Sequence, residues 1–406
     1  MHGEALNRNP HTNEVTAAGS GSVAAGARVV LLQTQAEAAG AQEISRILGC
    51  GLAAQGHDVH HAFFFRRTAA CDGLPNTFFC ARERPTSPLQ LMRMFRVLVR
   101  YLKDLQPDAV VCFQHYGNII GTLAARLAGV RVVIVNRNSA KSLVPWWIRG
   151  LDLTFGVAGW FQAVVVNSSS VEQEYCSYPR RYRRRLVRIE HGFDKKTTGL
   201  SRDKARKVLG LPADVVLLGS AARLHPLKNL GAAIRLLVGR PWHLAIAGQG
   251  SGRQQLMDTA SSLGVRDRLH FVGELPANRI GDFLGSLDVF VFPSLAETFG
   301  LAAVEAAQAG VPVVANDLDV LREVLAVDGE PCALFVDVND TKAFVEGVQR
   351  VVGDEDLRLH LASRATKLSS RYSLDAMVRR YAALIEATIS RPNSLGQRIL
   401  ATPHAR

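Results

Sequence analysis

Residues 293–314 read PSLAETFGLAAVEAAQAGVPVV and contain two glutamates, Glu297 and Glu305, separated by seven residues with a Phe-Gly pair between them. Glu297 follows the run 287–292, which is typical of a buried strand, and is predicted to lie in a loop. Glu305 is predicted about one and a half turns into the following helix. A strand, a glycine turn and a helix start gather carboxylates and backbone N–H groups at the edge of a parallel sheet. The stretch therefore predicts a site for a sugar joined to a nucleotide diphosphate.

Short apolar runs alternate with helical patterns on both sides of this stretch. Continuous apolar runs of this length are typical of strands in a parallel sheet that is covered on both faces. The predicted strands of the second half are 215–218, 244–247, 269–272, 289–292, 311–314 and 333–336. Those of the first half are 27–32, 57–65, 109–113, 130–135, 163–166 and 186–189. The predicted fold class is α/β, with two doubly wound Rossmann-like domains that face each other across a cleft.

The length of 406 residues favours two or three domains, and the composition suggests their limits. The predicted divisions are a polar, disordered tail (1–27), an N-terminal acceptor-side Rossmann-like domain (28–193), a linker with a short helix (194–213), a C-terminal nucleotide-sugar-binding Rossmann-like domain (214–372), a terminal helix able to cross back to the first domain (373–391) and a polar tail (392–406). The first residues lack the apolar core of a signal peptide, and no run reaches the roughly 18 apolar residues that span a bilayer. A cytoplasmic location is expected, with association at a membrane surface left open.

The net charge of +12 is concentrated in one place, because residues 179–188 contain six arginines. This run is either a solvated face or a surface for an anionic membrane or a phosphorylated acceptor. The arginines considered for a membrane contact are Arg180, Arg181, Arg183, Arg184 and Arg185. Trp146, Trp147 and Trp160 lie nearby in sequence, and they indicate either a helix packed on the first domain or an aromatic patch at a membrane interface. No nucleic-acid-binding motif is present.

Cysteine and histidine spacing gives no reason to expect a metal site. None of the six cysteines forms a Cys-x-x-Cys pair or stands at ligand spacing from a histidine. The expectation is therefore a protein without a metal and without a cofactor, which uses a nucleotide sugar as a co-substrate.

Two cations follow the strand predicted at 215–218. Arg223 and Lys228 are five residues apart around a proline, a spacing that lets both reach one diphosphate, although they could also be surface charges near a helix start. Glu305 has apolar sequence neighbours and therefore needs a polar partner. The two hydroxyls of a nucleotide ribose can donate to its two carboxylate oxygens.

The pattern ETFGLAAVEAAQAGVPVVA, with Arg223 and Lys228 upstream, resembles the retaining glycosyltransferases of the group 1 class (family 4), which have the two-domain GT-B fold. Other stretches similar to that family occur in the same order, at 38–59, 189–194, 247–253 and 371–385, so the resemblance covers about residues 28 to 390. The chain departs from the family pattern at 318–320, at Gln42 and Glu43, and at His191 of the hinge segment.

The resemblance implies a role for each matching residue. Glu305 would hold the nucleotide ribose, Glu297 the hydroxyls of the donor sugar, and Arg223 and Lys228 the departing diphosphate. Close backbone approach or backbone N–H contacts to the donor are implied at Phe299, Gly300, Leu301 and Gly40. Contacts to the base are implied near Gly273 and Glu274, and groups facing the reaction centre at Arg137 and Asn138.

The implied activity is a retaining, metal-independent transfer of a hexose or related sugar from a nucleotide-diphosphate sugar. The acceptor would be a polysaccharide, oligosaccharide or lipid-linked molecule, as in exopolysaccharide biosynthesis for the cell envelope. The alternatives are a nucleotide-sugar epimerase or phosphorylase of the same fold, or a catalytically inactive nucleotide-sugar-binding protein.

Overall fold

The computed structural model describes residues 26–37, 40–69 and 71–392. Apart from residues 26, 27 and 392, the tails predicted at 1–27 and 392–406 lie outside the described residues.

The first half of the chain forms a seven-stranded parallel sheet with the strand order β3-β2-β1-β4-β5-β6-β7. Its strands are β1 (Arg28–Ala36), β2 (Asp58–Arg66), β3 (Thr77–Ala81), β4 (Ala109–Cys112), β5 (Val132–Arg137), β6 (Ala163–Val166) and β7 (Leu186–Arg188). The order reverses between β1 and β4, which is the topological switch point of a doubly wound sheet. The central strands are buried on both faces, which explains their unbroken apolar sequences.

The second half repeats this arrangement in a six-stranded parallel sheet with the order β10-β9-β8-β11-β12-β15. Its strands are β8 (Leu217–Ala221), β9 (His243–Ala247), β10 (Leu269–Gly273), β11 (Val289–Phe292), β12 (Val313–Asn316) and β15 (Leu334–Val336), and a small hairpin is formed by β13 (Ala326–Val327) and β14 (Glu330–Pro331). The switch point lies between β8 and β11. The two sheets confirm the predicted fold class.

Helices cover both faces of each sheet. Those of the first half are α1 (Gly40–Ala54), α2 (Pro88–Leu105), α3 (His115–Leu127), α4 (Trp146–Ala158), α5 (Ser169–Gln173) and α6 (Arg180–Arg183). Those of the second half are α7 (Arg202–Val208), α8 (Leu230–Arg235), α9 (Arg253–Ser262), α10 (Ile280–Gly285), α11 (Leu301–Gln308), α12 (Asp319–Val324), α13 (Thr341–Gly353), α14 (Glu355–Ala365), α15 (Leu368–Arg371) and α16 (Leu374–Ser390). None of the described helices combines the length and the apolar character needed to cross a membrane.

Helix α16 follows the second domain in sequence but packs on the first. Gly51 of α1 lies so close to Val378 that any β-carbon there would clash with it. Tyr381 donates a hydrogen bond to Asn136 Oδ1 at 2.5 Å, at the end of β5. At the linker, the Phe299 ring lies 6.5 Å from Phe193. A continuous apolar core therefore joins the two domains near the linker.

The structure differs from the predicted elements at several boundaries. Strand β3 was not predicted, although TFFCA is a β-prone run. Strand β5 continues to Arg137 instead of ending at residue 135. This difference matters for function, because it moves Asn136 and Arg137 from a predicted loop into the strand.

Candidate active site

The C-terminal strand ends of the two sheets face each other, and contacts across the cleft hold them together. At the end of β6, Ser168 Oγ donates to the Thr298 carbonyl at 3.1 Å. On the β1 side, a β-carbon built on Gly40 would lie 2.9 Å from Leu301 Cδ1. The N-terminus of α1 therefore approaches the N-terminus of α11, as a backbone that meets a shared phosphate would require. The Ala303 N–H already donates to the Gly300 carbonyl at 3.0 Å, so the first-turn N–H groups of α11 that remain for an anion are those of Leu301 and Ala302.

Glu297 and Lys228 meet beside the switch point of the second sheet. Lys228 ends a 3₁₀ turn after β8, and Glu297 lies in the loop after the neighbouring strand β11. The Lys228 Nζ to Glu297 Oε1 distance is 2.5 Å, and both side chains are largely buried. Two residues that are 69 positions apart thus form one ion pair, because β8 and β11 are hydrogen-bonded neighbours.

Arg223 is placed differently from Lys228, since its partner belongs to the opposite domain. Its Nη1 lies 3.4 Å from Glu37 Oε1, at the end of β1. The buried Glu37 carboxylate also accepts from Arg67 at 2.9 Å and from Gln35 at 2.6 Å. Glu37 was not predicted as a site residue. The signal available in the sequence was an acidic residue that directly follows an apolar strand.

Glu305 lies in α11 and faces the first domain. Burial raises the pKa of Glu305 to about 7, while the Lys196 ammonium opposes this rise and Glu43 of α1 adds to it. The nearest cation is Lys196, whose Nζ lies 3.9 Å from Glu305 Oε1. Because this cation is not in direct hydrogen-bond contact, hydroxyl donors would stabilise the buried Glu305 carboxylate. The ribose of a nucleotide can supply such donors.

The start of α11 is shaped by Phe299 and Gly300. Gly300 has a φ of 84°, a backbone conformation that favours glycine. The Phe299 ring is buried and lies 5.0 Å from the ring of His191 in the hinge segment. Burial lowers the pKa of His191 to about 4, so its imidazole is neutral at pH 7. The packing of Phe299 on His191 therefore restricts the backbone at the start of α11.

Gly273 and Glu274, predicted near the base, follow β10. The Gly273 carbonyl accepts from the Gly248 N–H at 2.7 Å, and the Glu274 carboxylate accepts from Gln249. The loops after β9 and β10 are thus joined to each other. This contact places Gly273 and Glu274 at the same sheet edge as Lys228, two strands away from it.

Arg137 does not join the Lys228–Glu297 ion pair. Its guanidinium donates to Asp152 and to Tyr182 Oη, the latter at 2.8 Å, inside the first domain. Its charge is therefore compensated by a buried carboxylate. The reason is the extension of β5: side chains alternate along a strand, so Asn136 faces α16 while Arg137 faces α4. Arg137 also lines a cavity of the first domain, and its implied place at the reaction centre stays a prediction.

Asn138 is the first residue after β5, and it lines a small cavity of about 20 Å³. His115 and Asn118 of α3 also line this cavity, and neither was predicted as a site residue. Gln114, the residue immediately before α3, has φ 65° and ψ 154°, a backbone conformation that residues other than glycine rarely adopt. Strain of this kind costs about 1–3 kcal/mol and is found mostly at functional sites.

The arginine run and the tryptophans do not form one patch. Trp146 and Trp147 are exposed at the start of α4, whereas Trp160 follows its end and stacks on Phe155. A helix of 13 residues separates these positions by about 20 Å. Arg185 donates to two carbonyls of the first domain, so it is a structural residue. The members of the run that remain exposed are Arg180, Arg181, Arg183 and Arg188.

Two family models match the chain in succession. The model described as Glycosyltransferase Family 4 matches residues 39–197, and the one described as Glycosyl transferases group 1 matches residues 201–368. The boundary between them falls in the linker between the two sheets.

Relatives with similar sequences match about half of the chain. The lipopolysaccharide core biosynthesis mannosyltransferase LpsB of Rhizobium meliloti is 32% identical over 212 residues, which are 49% of this chain and 60% of that protein. A D-inositol 3-phosphate glycosyltransferase of Mycolicibacterium smegmatis is 33% identical over 227 residues, or 54% of this chain and 52% of that protein. The chain thus spans between about half and three fifths of the length of these relatives.

Among solved structures, Anabaena Alr3699/HepE in complex with UDP and glucose has a TM-score of 0.76 to this chain. The match covers 89% of this chain and 100% of that one at 17% sequence identity. At this identity the likeness shows a shared fold.

Proposed function

Because the chain belongs to the group 1, family 4 glycosyltransferases of GT-B fold, we propose that it transfers a hexose or related sugar from a nucleotide-diphosphate sugar to a glycan or lipid-linked acceptor. The observation that carries this proposal is the Lys228–Glu297 ion pair at the switch point of the second sheet. Open α/β sheets bind ligands at this point, and the pair joins a cation for phosphate to a carboxylate for sugar hydroxyls.

The roles follow from the surroundings of each group. Lys228 and Arg223 would meet the negative charge that builds up on the leaving diphosphate, and the N-terminus of α11 would add to their effect. Glu305 would accept hydrogen bonds from the ribose, and Glu297 from the donor sugar. With charge compensation supplied by side chains and backbone, the proposed reaction proceeds without a metal. We propose retention of configuration, with the leaving phosphate receiving the acceptor proton on the same face of the sugar.

The relatives support the class of substrates. HepE binds UDP and glucose, and LpsB is a mannosyltransferase of lipopolysaccharide core biosynthesis. We propose by analogy a nucleoside-diphosphate hexose as donor and a cell-envelope glycan as acceptor. Contact with an anionic membrane would use the exposed arginines Arg180, Arg181 and Arg183 on the first domain, at the cytoplasmic face.

A thermal-shift panel of UDP, GDP and ADP and their hexose conjugates tests the donor class. We expect one nucleotide series to raise the melting temperature, because a ligand that binds only the folded state stabilises it. Transfer of radiolabelled hexose from that donor to short glycans then tests the reaction. Lys228→Ala and Arg223→Ala are each expected to lower turnover roughly 100-fold, the usual cost of losing one charge-stabilising donor. Lys342→Ala, at an exposed ion pair on α13, is the matched control.

The outcomes separate the alternatives. Near-normal turnover in both cation variants would refute the proposed diphosphate site. Donor binding without transfer to any glycan would favour an inactive nucleotide-sugar-binding protein. Conversion of the donor without an acceptor would favour an epimerase of the same fold, and phosphate-dependent release of sugar a phosphorylase.

A further inference from the structure

The linker between the two domains carries a lysine into the cleft. The Lys196 side chain is only 16% exposed, and its Nζ lies 3.9 Å from Glu305 Oε1. The resemblance to the family gave this lysine no role. Lysine side chains are rarely buried unless they are paired, so the position of Lys196 calls for an electrostatic explanation.

The backbone around Lys196 is fixed to the second domain. A β-carbon built on Gly281 of α10 would lie 2.1 Å from the Thr197 carbonyl oxygen, so only a glycine admits the linker at this point. The next residue, Thr198, donates from Oγ1 to Asp282 Oδ1 at 2.6 Å. The linker is therefore anchored within two residues of Lys196 to the domain that also contains α11.

The charges that act on Glu305 come from the linker and from α1. Arg46 donates to both carboxylate oxygens of Glu43, at 2.8 Å each. Burial opposes the ionisation of Glu43, but the Arg46 guanidinium and the Lys196 ammonium hold its pKa below the usual value. Because Arg46 is engaged by Glu43, Lys196 is the cation that compensates Glu305.

The other elements packed on α11 do not change this balance. Strands β11 and β12 carry no charged side chain. Helices α14 and α15 carry several, but within the described part of the chain none of them affects the pKa of Glu305.

The separation of 3.9 Å is too long for a hydrogen bond. The Lys196 ammonium therefore attracts the Glu305 carboxylate without occupying its oxygens, and these oxygens can still accept from hydroxyl groups. The pair formed by Lys228 and Glu297 is different, because its atoms are in direct hydrogen-bond contact at 2.5 Å.

We infer that Lys196 is a positioning residue of the nucleotide site, which keeps the Glu305 carboxylate charged and in place for the two hydroxyls of the ribose. The inference rests on the proposed transferase function. A charged acceptor forms hydrogen bonds roughly twice as strong as a neutral one. Lys196 thus favours nucleotides that carry both ribose hydroxyls, although it acts only through Glu305.

Isothermal titration of the full chain tests the inference. The probes are UDP, GDP or ADP, as selected by the thermal-shift panel, and the dideoxy counterpart, which lacks both ribose hydroxyls. The ratio of the two Kd values measures the preference for ribose, because the phosphate contacts cancel in it. We expect the wild type to prefer the ribonucleotide, and Lys196→Met to lower this preference roughly five- to tenfold.

The pH dependence of the same ratio separates this role from a general loss of packing. Without the ammonium, the pKa of Glu305 rises above its wild-type value of about 7. The preference for ribose in Lys196→Met should therefore be low at pH 7 and recover at about pH 9, where the carboxylate ionises. Lys196→Arg keeps the charge and should retain the preference, and Lys195→Met, at an exposed neighbour, is the matched control.

A double variant tests whether Lys196 acts through Glu305. Glu305→Gln removes the charge that the lysine compensates, so adding Lys196→Met to it should lower the preference for ribose no further. Melting temperatures establish that each variant is folded, and Lys196→Gln replaces Lys196→Met if the latter does not fold.

The outcomes keep the two proposals distinguishable. The inference is overturned if the wild type does not prefer the ribonucleotide, if Lys196→Met keeps the wild-type preference, or if the double variant loses more than Glu305→Gln alone. An equal loss of affinity for both nucleotides also overturns it, since that result indicates a phosphate contact. The transferase proposal stands in each of these cases, and it fails if no nucleotide or nucleotide sugar binds the wild type.

Discussion

Replacing Glu297 by glutamine should strengthen the binding of the free nucleoside diphosphate while it slows sugar transfer. Lys228 is bound to Glu297 at 2.5 Å, so a diphosphate must compete with this carboxylate for the lysine. The glutamine keeps the size of the side chain and removes its charge. The ammonium then becomes available to the phosphate without an ion pair being broken first.

The magnitude follows from the burial of the pair. The Lys228 and Glu297 side chains are 25% and 12% exposed, between a surface pair and a buried one. Surface pairs contribute about 0.2–1 kcal/mol, and breaking a buried pair costs about 3–5 kcal/mol. An intermediate 1–2 kcal/mol corresponds to a nucleoside-diphosphate Kd roughly five to thirty times lower. Losing a charged hydrogen bond to the donor sugar, about 1.5–3 kcal/mol, lowers kcat/KM roughly 10- to 100-fold.

Isothermal titration with the diphosphate identified by the thermal-shift panel measures the first effect, and initial rates of hexose transfer measure the second. Asp317→Asn, which breaks an exposed ion pair with Arg322 of the same domain, is the control and should change neither. A Kd for the diphosphate that rises in Glu297→Gln would refute the idea that this carboxylate competes for Lys228.

Three further predictions use separate parts of the structure. The pKa of Glu305 rises from 4.5 to about 7 on folding, so the native state holds this proton more tightly, and the free energy of unfolding should fall as the pH rises from 4.5 to 7. Urea titrations should show this fall, by up to about 2 kcal/mol, flattened in Glu305→Gln. Gly40→Ala should weaken nucleotide binding, measured by titration, because its β-carbon would displace the Leu301 side chain at the start of α11, whereas Gly150→Ala, in open space on α4, should leave it unchanged. Asp152→Ala should destabilise the first domain by about 3–5 kcal/mol in urea, because it leaves Arg137 buried without its carboxylate; a loss below about 1 kcal/mol would contradict that assignment.

The sequence predicts those residues of the candidate site that lie close together along the chain. Glu297, Gly300 and Glu305 lie on one strand–loop–helix unit, so their spacing alone indicates their common place at a sheet edge. Lys228 could be associated with them because parallel strands end at one edge. Glu37 and Lys196 were missed, since they reach the site from another domain and from the linker.

The contacts of Arg137 depend on where β5 ends. A shift of two residues in the end of β5 decides whether its side chain belongs to the loop or to the sheet. Once it belongs to the sheet, the pleat turns it towards α4 and a buried carboxylate. The sequence contains no signal for the residue at which β5 ends, so the contacts of Arg137 could not be derived from it.

Two doubly wound sheets, and the residues that meet at the second one, follow from the amino-acid order, because apolar periodicity acts locally and the geometry of the sheet edge follows from it. The contacts across the cleft, Arg223 with Glu37 and α1 with α11, emerge only in the folded chain, as do the polar atoms around Asn138 that lack partners. These contacts depend on how two separately formed domains dock, and docking is governed by surface shape and packing rather than by any spacing along the chain.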